Sequence, residues 1–241
     1  MKKLSTALAA GLTLSTAAVF TPALSTSALA DEECNIPPPV VKNLQAKLAN
    51  VVNLADANGG LFKPNRMWSA VVDRQGVLCS VVRSDPDAWP GSRAIAMAKA
   101  STANDFSNDK TALSTANLYS FTQPANAGMA TTFPAGSLYG LNNSNPFNPQ
   151  FQEQGTGIGR AVGGIITFGG GVPLYSGGQV IGGLGVSGDT ACADHAIAFR
   201  MRRLAGLDGT PSPDNIVYLA AGELPHDVSH PHCFLGHDIT P

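Results

Sequence analysis

Charge is scarce in this chain: Asp, Glu, Lys and Arg make up 13% of its 241 residues, and the formal net charge is −2. Residues 1–30 hold two of the fifteen basic residues and no acidic one, so the remaining 211 residues carry a formal charge of −4. Such a balance excludes non-specific binding to nucleic acid or to an acidic membrane surface. No segment beyond the first thirty residues has eighteen unbroken apolar residues, which excludes membrane insertion by a later helix. The four cysteines include no CxxC pair, so no standard zinc spacing is present. There is no G-x-S-x-G elbow, Walker loop or HExxH, and the glycine-rich block lacks the strand-then-helix setting of a dinucleotide fingerprint.

What is present begins with a leader. Lys2 and Lys3 precede the mainly apolar run Leu4–Phe20, and Ala28-Leu29-Ala30 has the small-x-small pattern of signal-peptidase cleavage. Residues 1–30 therefore read as a signal peptide, with a mature chain starting at Asp31 in a secreted or periplasmic setting. In such a compartment an even set of cysteines, Cys34, Cys79, Cys192 and Cys233, reads as two disulfides with three connectivities open.

The organising stretch is Phe168–Gly188, FGGGVPLYSGGQVIGGLGVSG, which holds no charged residue. Val172–Ser176 and Gln179–Val186 are strand-forming runs, and Gly177-Gly178 between them supplies the positive φ of a tight hairpin turn. Gly182, Gly183, Gly185 and Gly188 signal close approach of a helix, another backbone or a flat ligand.

Elsewhere, Val41, Leu44, Leu48, Val51 and Val52 are spaced as one face of a helix that starts just after Pro37-Pro38-Pro39. Met67–Asp73 and Val77–Arg83 predict a hairpin around Gly76. Arg93–Phe106 predicts a second helix, capped by Ser92, whose stripe Ile95, Ala98, Lys99, Thr102 and Phe106 includes two polar residues. On that stripe Thr102 reads as a core hydroxyl bonded to the carbonyl one turn back, and Lys99 as an edge residue with its amine in water. Residues 111–161 are rich in Asn, Gly, Ser, Thr and Pro, with Glu153 and Arg160 the only charges. Regular structure is thin there, and aromatics such as Tyr119 and Phe147 predict that the segment packs against something. Gly163–Phe168 and Ile216–Ala220 are candidate short strands. Asp189-Thr190 caps a third helix, Ala191–Leu204, with Asp194 and Arg200, Arg202 and Arg203 complementing its dipole.

The strings AVVDRQGVL, SRAIAMAKASTANDF, LYGLNNSN and GGGVPLYSGGQVIGGLGVSGDTACADHAIA, taken in order, resemble the exported haem-binding HbpS/GlcG-like proteins, related to the C-terminal part of PduO. The resemblance runs from about Val41 to Leu207. It implies an α/β (α+β) fold of profilin-like type, a central antiparallel sheet with packed helices, assembled into homo-oligomers. On this reading 31–207 is the domain, 111–161 a long insertion and 208–241 a Cys/His-containing extension. Haem is the implied cofactor, with storage, breakdown or sensing beside a membrane sensor protein as the implied roles; members in organic-acid operons imply instead an enzyme or accessory subunit acting on a small metabolite. A purely structural oligomer is a third reading. Within the resemblance, Thr102 stands where a threonine has been linked to haem iron, and Lys99, one turn away, could meet a propionate.

Two other ligand sources stand beside that position. His195, on the first turn of the third helix, is a candidate axial ligand. The tail holds His226, His230, His232 and His237 around Cys233, a set able to bind zinc, copper, nickel or haem iron; the alternative is a bridged Cys233 and solvated histidines. Bridges Cys34–Cys79 and Cys192–Cys233 would tie the N-terminal arm and the tail to the core, and that pairing is the expectation.

Overall fold

A computed structural model describes residues 33–124, 138, 157–233 and 237–241. The expected leader and its cleavage site lie outside these residues, as does most of the 111–161 insertion. The elements in order are α1 (Pro38–Val51), β1 (Trp68–Asp73), β2 (Leu78–Arg83), α2 (Pro90–Asp105), β3 (Gly171–Ser176), β4 (Gln179–Ser187), α3 (Ala191–Leu204), and a short parallel pair, β5 (Val217–Tyr218) and β6 (Ser229–His230). The main sheet is antiparallel throughout, in the order β2-β1-β4-β3. This is the expected α+β arrangement.

Local chemistry explains the elements and their ends. The β3–β4 hairpin turns through Gly177 (φ 58°) and Gly178 (φ 79°), the two positive angles that a two-residue turn with right-handed twist requires. α1 starts inside the proline run, at Pro38, rather than after it, because proline lacks only an N–H that the first turn leaves unbonded anyway. α2 likewise starts at Pro90, with no side-chain cap from Ser92. Thr190 does cap α3, accepting from the Ala193 N–H at 3.2 Å. Gly163–Phe168 forms no strand; the Ile166 N–H donates to the Thr102 hydroxyl instead of to a ladder.

All six residues of β1 are buried, so this central strand is covered on both faces. The pleat sends Trp68, Ala70 and Val72 toward α2, and Val71 toward α1 and α3. The β1–β4 register sets Ala70 opposite Gly185 and Val72 opposite Gly183, so these glycines share the α2 face. A Cβ on Gly185 would lie 1.9 Å from the Ala96 carbonyl oxygen, and one on Gly183 would lie 2.1 Å from that of Ala100. Gly183 and Gly185 are therefore filled in by the backbone of α2, while Gly182 and Gly188 lie against the Val72 and Arg66 carbonyls. The strip is not an open face for a flat ligand, and Gly183 and Gly185 answer to helix-on-sheet contact.

Both expected disulfides are present, Cys34–Cys79 and Cys192–Cys233, and no described cysteine is free. The described start of the insertion packs on its own fold through two short 3-10 turns, Ala116–Leu118 and Ser120–Thr122, whose residues are almost all buried. The extension also folds back: the Ala112 N–H donates to the Ser212 hydroxyl at 2.9 Å, and Arg202 makes a buried two-pronged pair with Asp214.

Candidate functional site

A polar cluster is buried where α2, the start of α3 and the glycine run Gly169–Gly171 meet. Lys99 lies at its centre. Its Nζ is 2.6 Å from Asp194 Oδ2, donates to the Val186 carbonyl at 3.3 Å, and sits 4.7 Å from the centre of the Phe168 ring. Neither charged side chain reaches solvent beyond 2% of its surface. Lys99 is thus not at a wet edge, and its amine is already engaged rather than free for a propionate. Burial pushes the Asp194 carboxyl up to about 6 and Lys99 down, while the pairing of the two opposes both effects. Asp194 also accepts from the Asp189 N–H at 3.0 Å, so the pair fixes the entry to α3.

Each glycine of the run is held by a different part of the chain. Gly169 N–H donates to His230 Nε2 at 3.2 Å, and Gly171 N–H donates to the Thr115 hydroxyl at 2.8 Å, which itself donates to the Phe168 carbonyl at 2.8 Å. Gly170 has φ 125°, and a Cβ there would meet Lys99 Nζ at 2.7 Å. Space and backbone conformation both require glycine at that position.

Thr102, the position implied as an oxygen donor to iron, is fully buried and fully used. Its hydroxyl donates to the Ala98 carbonyl at 2.7 Å, one turn back, and accepts from the Ile166 N–H at 2.9 Å. His195 is also fully buried, with Nε2 3.1 Å from both Asn215 Oδ1 and the Ile216 N–H. Its Nδ1 has no hydrogen-bond partner. Burial pushes the imidazole down to about 3, so it stays neutral.

The four tail histidines do not converge. His230 is buried, donating from Nδ1 to the Pro231 carbonyl at 2.7 Å while Nε2 serves Gly169. His232 has acceptors at both nitrogens, Asp238 Oδ2 at 2.5 Å and the Leu219 carbonyl at 2.6 Å, and stacks on Tyr218. That environment favours the imidazolium, raised chiefly by the Asp238 hydrogen bond. His226 pairs with Glu223 at 2.8 Å, and His237 Nδ1 donates to the Gly59 carbonyl at 3.0 Å. Among the described residues, the only groups of three candidate metal ligands are built around the two disulfides and contain no histidine. The tail is held to the fold by Cys233, and each of its four histidines goes to a different partner.

Sequence reasoning missed three members of the cluster: Asp194 as the partner of Lys99, Phe168, and Thr115. A usable signal existed for the first. A lysine on an apolar helical stripe needs a buried counter-charge, and Asp194 lies on one stripe with Ile197, Ala198 and Met201. Thr115 carried no such signal.

A second feature lies on the opposite side of the sheet, between α1 and the edge strand β2. It is a groove of about 740 Å³, walled by Ile36, Val41, Val82 and the Cys34–Cys79 bridge, with Lys42 and Ile158 among its lining residues.

A family model described as haem degrading protein HbpS-like matches residues 51–201. Among solved structures, PduOC in complex with haem is 24% identical, with 71% of this chain and 96% of that chain covered and a TM-score of 0.50. That likeness is one of fold. Klebsiella pneumoniae ORFY is 25% identical over 71% of this chain and 90% of its own, with a TM-score of 0.49. A double mutant of Streptomyces reticuli HbpS is 17% identical over 81% of this chain and 97% of its own, with a TM-score of 0.43. No curated protein matches the chain.

Proposed function

The chain belongs to the HbpS-like family, and on that premise we propose that it is an exported protein that binds haem or a similar flat tetrapyrrole and serves in haem storage, handling or sensing. The observation that carries this reading is the family match itself, which takes in the sheet, α2 and most of α3. The same fold holds haem in the PduOC complex. Assembly into a homo-oligomer, and a membrane sensor protein as partner, belong to the same proposal.

The donor chemistry limits where haem could be held. Haem iron takes His, Cys, Met or Tyr as its protein ligand. Thr102 and Lys99 are occupied by internal partners, His195 and His230 are buried within the fold, and all four cysteines are bridged. The buried cluster does not fit the group, and its role is to lock α2, α3 and the glycine run together. On this reading a tetrapyrrole is held on an outer surface of the domain. Titrating hemin into the purified protein tests the proposal: a saturable shift and sharpening of the Soret band at micromolar hemin is expected, and its absence would sink the reading.

A further inference from the structure

We infer that the groove between α1 and β2 is a tetrapyrrole seat that holds the macrocycle by its apolar face and its carboxylate, and not through its metal. This rests on the proposed function above. The groove, at about 740 Å³, falls within the usual range for small-molecule sites. It exists because α1 leaves the outer part of the sheet uncovered. Val82 and Cys79 on β2 and Val40 and Val41 on α1 belong to the same core, yet the edge strand is only partly buried there.

The walls are chosen for a flat apolar body. Ile36, Val41, Val82 and the bridge sulfurs form the floor and sides, and Ile158, still 42% exposed, stands at the lining as an uncovered aliphatic side chain. Ile36 and Val41 are already buried in the core, so the apolar area left to cover is that of Val82, the bridge and Ile158, and covering it is favourable in proportion to that area. The charged groups of the described lining are Lys42 and Glu33, both exposed. Lys42 is the one cation, on a helix whose register is fixed by Val41 and Leu44 in the core. It is placed to meet a carboxylate while the ring lies on the aliphatic wall.

The described lining contains no His, Met or Tyr, and its two cysteines are bonded to each other. Gln45 is already engaged with Ser69 and Ser80. Among the described residues, none of the usual iron ligands lines the groove. Binding that rests on area and one ion pair is indifferent to what occupies the centre of the ring, so a metal-free porphyrin with the same carboxylates is an equal ligand.

The test titrates hemin and metal-free protoporphyrin IX, separately, into the purified protein and into two surface variants, Lys42→Glu and Ile158→Glu, with circular dichroism to confirm that each variant is folded. Ligand absorbance and quenching of tryptophan fluorescence report binding. Dissociation constants for the two ligands should agree within about threefold, and each variant should weaken both ligands together by about fivefold or more. If hemin binds and protoporphyrin IX does not, the inference falls and the haem-binding proposal stands. If both bind but neither folded variant changes either affinity, the groove is not the seat and the inference falls. If neither ligand binds, the haem-binding proposal itself fails, and this inference with it.

Discussion

Lys99 and Asp194, ninety-five positions apart in the chain, form an ion pair at 2.6 Å that is sealed from solvent at the junction of α2 and α3. Removing one partner leaves the other charge buried and uncompensated, which costs about 3–5 kcal/mol, whereas replacing both by apolar groups is far less costly. Lys99→Met should therefore lower stability by that amount, and Lys99→Met/Asp194→Leu should recover most of it. Urea midpoints of the four proteins in a double-mutant cycle measure this; a loss under about 1 kcal/mol for Lys99→Met would refute it.

Glycine at 183 and 185 is required by contact, since neither has a left-handed φ and both face the α2 backbone. Gly185→Ala should destabilise by about 3 kcal/mol, the upper end for overpacking, because a helix backbone cannot yield as a side chain can. Gly91, exposed in the first turn of α2 with open space around its Cβ position, should behave oppositely. Gly91→Ala should stabilise by about 0.5–1 kcal/mol. Thermal unfolding of the two variants decides between contact and simple backbone entropy as the reason for glycine.

Acid should unfold the protein through two histidines. Burial holds His195 near 3 and His230 near 4, both below the ordinary 6.5. For a group depressed in the folded state, stability is fully present above the unfolded value and is lost as pH falls toward the folded one. Each histidine should thus remove about 1.4 kcal/mol per pH unit between about pH 6.5 and 4. Asp194 acts in the opposite sense, since burial raises it and the folded state takes up its proton first, so the net slope is shallower than two histidines alone would give. Urea midpoints at pH 7.5, 6 and 5 should fall, with a smaller slope in His230→Gln; an unchanged slope in that variant would show that His230 does not report on folding.

Thiol labelling of the denatured, unreduced protein should find no free cysteine. Opening the Cys192–Cys233 bridge should free the tail that carries His230. In Cys192→Ala/Cys233→Ala, amide exchange at Gly169, which His230 accepts from, should quicken. Each bridge should contribute about 2–4 kcal/mol. Four reactive thiols would contradict the bridged structure.

The elements and their order were legible because each rests on local rules: a 3.6-residue apolar period in α1 and α3, a positive-φ glycine pair in the hairpin, a hydroxyl cap at Thr190. The bridges were legible through compartment and cysteine parity. Two local rules misled. Proline breaks a helix interior but not its first positions, where only an unbonded N–H is lost, as at Pro38 and Pro90. A lysine on a helix favours a wet edge by local rules, because a sequence window cannot see a carboxylate brought in from another helix, as Asp194 is to Lys99.

By itself, then, the sequence determined three helices, two hairpins, a glycine strip and a family likeness, since period, turn chemistry and composition act over a few residues. Tertiary structure alone decided what each was for. Whether the glycines meet a ligand or a helix depends on which element crosses them, and α2 does. Whether four nearby histidines form one site depends on the path of the tail, which sends them to Gly169, Asp238, Glu223 and Gly59. The groove beside Lys42 exists only where α1 fails to cover β2, a relation between elements that no single stretch of sequence contains.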